Sequence, residues 1–329
     1  MKMNIKMILK QKLSRVTRGV LGACVALGAW AAVAAPSVEI TYVEIANARE
    51  GTVEYSYTVS GDFKGREYDL LFTVSAKDGT KSAVLTNKNV TAGSRTETVN
   101  VKTLLGKAYP GVLIFAKLKP QPMPGQLWED GPIFAECNVG ATKPEDAGYR
   151  FWWGDTVGYT QAVNKAWISA DGKGTIINFS QSHTTANQTH NKDNAWLTGN
   201  GWIGQSGNLL PAHDAATVRL GAPWRMMTED ELKLLTSMDY CQWEWVTSYK
   251  GKSVSGYVVK GKAGTDYENN EVFFPYVSGA GQYWSSSPFK MNDFIGGCAL
   301  MINSSTFDGS GGTARFVGLS VRAVRDCDD

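Results

Sequence analysis

Two tryptophans, Trp196 and Trp202, interrupt a stretch of the chain, residues 160–210, that is otherwise rich in amides and hydroxyls such as Asn178, Gln181, Thr184, Asn187, Gln188 and Thr189. Such a composition buries little core. Indole rings stack on the flat face of a sugar or another planar group while amides and hydroxyls supply hydrogen bonds, so this pair is a ligand-binding candidate. The alternative is that both rings pin the loop to the domain beneath it. A second grouping, Trp152-Trp153-Gly154-Asp155, sets a carboxylate beside two indoles. In a binding role Trp153 stacks and Asp155 accepts hydrogen bonds. Adjacent side chains of an extended segment point to opposite faces, however, so one of Trp152 and Trp153 is expected in the core.

Bond-breaking chemistry has fewer candidates. His183 and His190 fall in the polar loop, and His213 stands beside Asp214 at a helix start, where N-capping accounts for the pair. No histidine has the spacing of metal ligands. Glu129-Asp130 and Glu145-Asp146 are neighbours in sequence, whereas glycosidase carboxylates are defined by facing each other across a substrate. There is no Gly-x-Ser-x-Gly elbow and no phosphate-cradling glycine loop. The expectation is no catalytic residue, no metal and no cofactor.

The elements that position these groups are expected after residue 34. The first 18 residues carry Lys2, Lys6, Lys10, Lys12, Arg15 and Arg18 without an acid, and the apolar run 20–33 leads into Ala32-Val33-Ala34. That is the order of a secretory signal peptide, 1–34, cleaved after Ala34. Leu21-Gly22-Ala23-Cys24 has the look of a lipoprotein box, but the apolar residues between Arg18 and Cys24 are too few for an h-region. The 33 basic and 31 acidic side chains give a net charge of +2; without the six basic residues of the signal the balance is 27 against 31, or −4. With no Lys/Arg run left, nucleic acid is not an expected partner. No later segment has the roughly 20 apolar residues of a membrane helix. Export to an oxidising compartment makes Cys137, Cys241, Cys298 and Cys327 structural disulfide candidates, with all connectivities open at this point.

Composition changes near residue 120. Before it, alternating apolar segments at 38–42, 53–59, 68–74, 96–101 and 112–116 are separated by turn residues, the pattern of an antiparallel β-sandwich over 35–119. Pro120, Pro122, Pro124 and Gly125 then form a stiff linker, 120–126. The remainder, 127–329, reads as an α+β domain. Thr228-Glu229-Asp230-Glu231 is a capping box, and Leu232, Leu235 and Met238 mark one helical face. A second short helix is expected over 211–221, and strands over 242–247, 256–259, 272–276, 298–303 and 316–324. Trp224, Arg225 and Trp284 are expected in the interior, the two rings covering the helix 229–238. A symmetric hairpin turning at 308–312 sets Cys298 opposite about Arg322.

Five segments then carry a resemblance: AECNVGATKPEDAGYRFWWGDTVGY, AHDAATVRLGAPWRMMTEDELKLL, CQWEWVT, YWSSSP and GLSVRAVRD, in this order. Together they resemble the Fibrobacter succinogenes major paralogous domain. The resemblance spans roughly 127–326 and implies a C-type-lectin-like fold related to formylglycine-generating enzymes, preceded by a secreted β-sandwich module. It also favours a Cys137–Cys241 pairing, each cysteine lying at the edge of a family-like segment, with Cys298–Cys327 following. The close cysteine pair of formylglycine-generating enzymes has no counterpart, since Cys298 and Cys327 are 29 positions apart. The calcium loops of sugar-binding lectins are likewise incomplete: Gln121-Pro122-Met123 and Met291-Asn292-Asp293 do not make the set. The expected function is a secreted or cell-surface, non-catalytic recognition module for a glycan or an extracellular protein. An enzyme with a scattered site and an envelope scaffold are the alternatives.

Overall fold

A computed structural model describes residues 35–162, 166–179, 188–277 and 281–327. The expected signal segment and His183 lie outside these residues. The first part of the chain forms β1 (Ser37–Asn47), β2 (Thr52–Ser60), β3 (Tyr68–Ala76), β4 (Ser82–Asn87), β5 (Gly93–Asn100), a one-turn helix α1 (Val101–Leu105) and β6 (Val112–Pro120). They make two antiparallel three-stranded sheets, ordered β1-β2-β5 and β4-β3-β6. The alternation in β2 explains why the sheets pack: Val53, Tyr55, Tyr57 and Val59 are all buried, against Leu70, Phe72 and Val74 of β3. The ring of Phe72 meets Tyr55 and Tyr57 edge-on, each at 4.9 Å. Strand β4 was not anticipated; it is a short edge strand whose side chains are at best half-buried.

One charge points inward between these sheets. Glu97 on edge strand β5 accepts from the hydroxyls of Tyr55 (3.0 Å) and Tyr57 (2.7 Å) and from the Asn87 amide (2.8 Å). Burial alone would raise its pKa, but these three donors and the nearby Arg95 outweigh it and hold the carboxyl below its ordinary range. A group depressed in the folded state contributes stability above its unfolded pKa, and that contribution is lost as pH falls through the folded value. Glu97→Gln is therefore expected to cost about 1–2 kcal/mol at neutral pH. The difference from wild type should shrink below about pH 4, as read from thermal melts across pH; a constant difference would contradict the assignment.

Residues 120–126 are not a free tether. Arg66 donates to the Gln121 carbonyl (3.3 Å) and the Gln126 side chain (3.2 Å), while Asn270 donates to the carbonyls of Met123 (2.8 Å) and Gln126 (2.7 Å). Lys119 pairs with Asp266 alongside. The prolines thus lead into a crossing held from both sides.

Beyond it lie β7 (Ile133–Asn138), β8 (Tyr159–Gln161), β9 (Trp167–Ser169), β10 (Ile176–Ile177), α2 (Asn194–Gly199), a 3-10 turn (Pro211–His213), α3 (Ala215–Leu220), β11 (Arg225–Met226) and α4 (Glu229–Thr236). Strands β12 (Cys241–Val246), β13 (Gly256–Gly261), β14 (Glu271–Pro275), β15 (Gly281–Met291), β16 (Phe294–Ile302), β17 (Phe307–Asp308), β18 (Gly312–Thr313) and β19 (Arg322–Arg325) follow. They form small antiparallel sheets, β11-β19-β7, β12-β13-β14, β10-β9-β8, and β15-β16 with β17 and β18 on its edge. The chain is thus mostly antiparallel β with a few short helices. No helix among the described residues is long and apolar enough to cross a membrane.

Several expectations need correction. The helix expected over 211–221 breaks at Asp214, which leaves a 3-10 turn behind it and caps α3 by accepting from Thr217 N at 2.9 Å. Of 316–324 only 322–324 is strand, the start of β19. The hairpin does not turn at 308–312: Ile302 pairs with Phe307 and Cys298 with Gly312, so the reversal is at 303–306, where Asn303 Oδ1 accepts from the N–H groups of Ser305 and Thr306. Trp284 is fully buried as expected, but in a cluster with Phe151, Trp153 and Leu319 rather than over α4, whose Leu232 and Leu235 belong to another. Trp224 is only half-buried, and Arg225 sits between Glu231 (2.6 Å) and Asp326 (2.5 Å).

None of the four cysteines is in a disulfide. The sheets explain why. Cys137 lies on β7, whose Asn138 pairs with Arg322, whereas Cys241 begins β12 opposite Gly261 in a different sheet. Cys298 is buried in mid-strand with its thiol on the Pro288 carbonyl (3.4 Å), and Cys327 borders a separate cavity with Trp128 and Leu234. Burial raises the thiol pKa of Cys241 and of Cys298 to about 12, which leaves both unreactive at neutral pH.

Candidate functional site

The segment 149–158 is bound to the core by its backbone. Phe151 exchanges hydrogen bonds with Leu319, and Arg150 exchanges them with Tyr159. These bonds fix opposite faces for the two indoles that follow. Trp153 is buried, donates Nε1–H to the Ser285 carbonyl (2.9 Å), and carries the Arg315 guanidinium over its ring at 4.4 Å. Gly297 lies so close that a Cβ there would stand 2.4 Å from the ring. Trp152 is buried as well, its ring edge-on to Tyr159 and Phe179 at 5.4 Å each. Its indole N–H has no acceptor among the described residues, a cost that a ligand or water oxygen would relieve.

Buried Arg315 organises the neighbouring loop end. It donates to the carbonyls of Gly296 (2.8 Å), Thr189 (2.9 Å) and Lys192 (2.7 Å), while the Thr189 hydroxyl donates to the Trp153 carbonyl (3.1 Å). Burial lowers its pKa to about 10, which still leaves it a cation at neutral pH. Gln188 and Thr189 are thereby brought to the rim of the 152–156 segment.

Trp202 approaches from the other side. Its ring stacks on the His213 imidazole, with centroids 3.9 Å apart and planes 20° apart. It also presses on Gly154, whose φ of 81° and 3.1 Å Cβ clearance admit no larger residue comfortably. Burial lowers the His213 pKa, so the stacked ring is neutral at physiological pH. Together Trp152, Trp153, Gly154, Asp155, Thr156, Gln188, Thr189, Trp202, Ala212 and His213 line an open cleft of about 280 Å³.

Asp155 is the one carboxylate among the described residues that line the cleft. Its oxygens accept from the N–H groups of Val157 (3.1 Å) and Gly158 (3.3 Å). Burial dominates and raises its pKa, against the pull of these donors and of Arg219. Arg219 itself is directed elsewhere, with Nε on the Thr156 carbonyl (3.0 Å) and its guanidinium over Tyr149.

Of the four residues singled out for binding, the fold therefore brings together Trp153, Asp155 and Trp202. Trp196 stays apart: it sits half-buried on α2, with Lys192 5.1 Å above its ring. Trp153 contributes packing, since its N–H and one ring face are already occupied. His213 was read only as a capping neighbour, and Trp152 was weighed together with Trp153 between core and stacking platform. His213 showed no signal for this role, because its meeting with Trp202 depends on the 3-10 turn. Among the described residues no group of three or more His, Cys, Asp or Glu side chains is placed to hold a metal ion. Comparison with protein-family models, curated proteins and solved structures yields no match to this chain.

Proposed function

We propose that this chain is a non-catalytic recognition module that acts outside the cell and binds a sugar at the Trp152–Trp202–His213 cleft. In this reading residues 35–119 are a β-sandwich module, and residues 127–329 take the C-type-lectin-like fold implied by the resembling segments. One observation carries the reading: an open cleft joins a tryptophan–imidazole wall to a carboxylate and to the polar Thr156 and Gln188. An aromatic wall stacks on the apolar face of a pyranose while a carboxylate and amides take its hydroxyls. Among the described residues that line the cleft, the titratable side chains are Asp155 and His213, and each already has a structural duty.

The test is a glycan and cell-wall binding array, repeated with a chelator, with turnover measured on the same panel. Trp202→Ala is expected to weaken the bound glycan by about tenfold or more, the scale of one lost aromatic contact with its area. Trp196→Ala should leave affinity unchanged, because Trp196 lies outside the cleft. Conversion of any panel member to product, or equal effects of the two substitutions, would refute the proposal.

A further inference from the structure

Charge in this cleft is unbalanced at one point. The Asp155 carboxylate accepts backbone N–H groups of its own turn, from Val157 (3.1 Å) and Gly158 (3.3 Å) with Thr156 beside them, and no side-chain donor meets it among the described residues. Asp155 takes part in none of the ion pairs among the described residues. The two nearby guanidiniums do not line the cleft: Arg219 is held on Thr156 O and Tyr149, and Arg315 lies behind Trp153 with donors on Gly296, Thr189 and Lys192. A partly buried carboxylate without a direct counter-ion is costly, and a ligand cation is one way to supply it. The aromatic faces beside it attract the same kind of group, since ammonium ions bind over indole rings.

We infer that the cleft prefers a cationic amine, and that its ligand is an amino sugar whose nitrogen is not acetylated. This rests on the sugar-binding reading above and narrows it: the pyranose stacks on the Trp202 side while its ammonium meets Asp155. An N-acetylated sugar fits the wall but offers the carboxylate only an amide N–H. A uronic acid or phosphate sugar turns a like charge toward it.

The experiment titrates the protein with the glucosamine tetramer and the N-acetylglucosamine tetramer, at low and high salt and at a pH where the free amine is protonated. The free-amine tetramer is expected to bind about tenfold tighter, with the preference falling as salt rises. In Asp155→Asn the ratio of the two affinities should collapse to about one, whatever affinity the variant keeps for the acetylated tetramer. Asp155 also ties its own turn, so melting temperature is recorded. If the variant is unfolded, the wild-type ratio and its salt dependence decide the matter. Equal binding of the two tetramers by wild type, or a preference that survives Asp155→Asn in a folded protein, overturns the inference. If only the acetylated tetramer binds, sugar recognition stands and this narrower claim falls; if neither binds, both fall. An oligolysine that binds through Asp155 when neither tetramer does also overturns it, pointing to a protein partner.

Discussion

Replacing Arg322 with methionine is expected to destabilise the protein by about 3 kcal/mol or more, because several buried acceptors lose their donor at once. The side chain is fully buried, yet its partners are neutral oxygens rather than a carboxylate. It donates to Asn138 Oδ1 (2.8 Å), to the carbonyls of Ala135 (2.9 Å) and Glu136 (2.6 Å) on β7, and to that of Phe273 (2.7 Å) on β14. One guanidinium thus joins two sheets that share no backbone pairing. Arg322→Lys should recover little, since an ammonium is a point donor and cannot span this fork. Denaturant melts of wild type, Arg322→Met and Arg322→Lys test this. A methionine variant as stable as wild type would mean that relief of charge burial offsets the lost bonds, and the guanidinium would then not be the clasp.

Trp284→Ala is the second large effect, about 3–5 kcal/mol of stability for a fully buried indole. The ring donates to the Phe151 carbonyl (2.8 Å), and Trp153 donates back across the same boundary to the Ser285 carbonyl (2.9 Å). These reciprocal bonds fasten the strand before the cleft to β15. Two softer changes isolate them: Trp284→Phe and Trp153→Phe keep a ring and remove the N–H. The double variant should differ from the sum of the singles by about 0.5 kcal/mol or more, because the two bonds hold one junction. Glycan affinity should fall in Trp284→Phe even though Trp284 lies outside the cleft. Additive stability effects together with unchanged affinity would separate the cleft from the junction.

How far the sequence could be read depended on how far apart the interacting groups lie along the chain. Patterns closed within a few residues were legible. The alternation of Val53, Tyr55, Tyr57 and Val59 foretold the buried face of β2, and Thr228 with Glu231 forms both halves of the capping box that opens α4. Each needs only its own backbone and the requirement that apolar side chains leave water.

Features that join distant segments were not legible. Nothing local distinguishes Arg322 from Arg325, but the guanidinium of the first reaches carbonyls of β7 and β14, whereas that of the second lies over the Trp224 ring. The hairpin was misplaced because Asp308-Gly-Ser-Gly-Gly312 looks like a stronger turn than Asn303-Ser-Ser-Thr306, whereas the buried face of β16 set the register. Cys137 and Cys241 lie in different sheets, a separation that spacing alone cannot reveal. Trp202 and Trp196 looked equivalent in sequence. Contact with His213 and Gly154 placed one on the cleft, while α2 carried the other away from it. The sequence by itself therefore determined which residues seek the interior and which local caps they form. Tertiary structure decided which polar groups meet, because a hydrogen bond or ring stack acts over only a few ångströms and only folding brings distant segments that close.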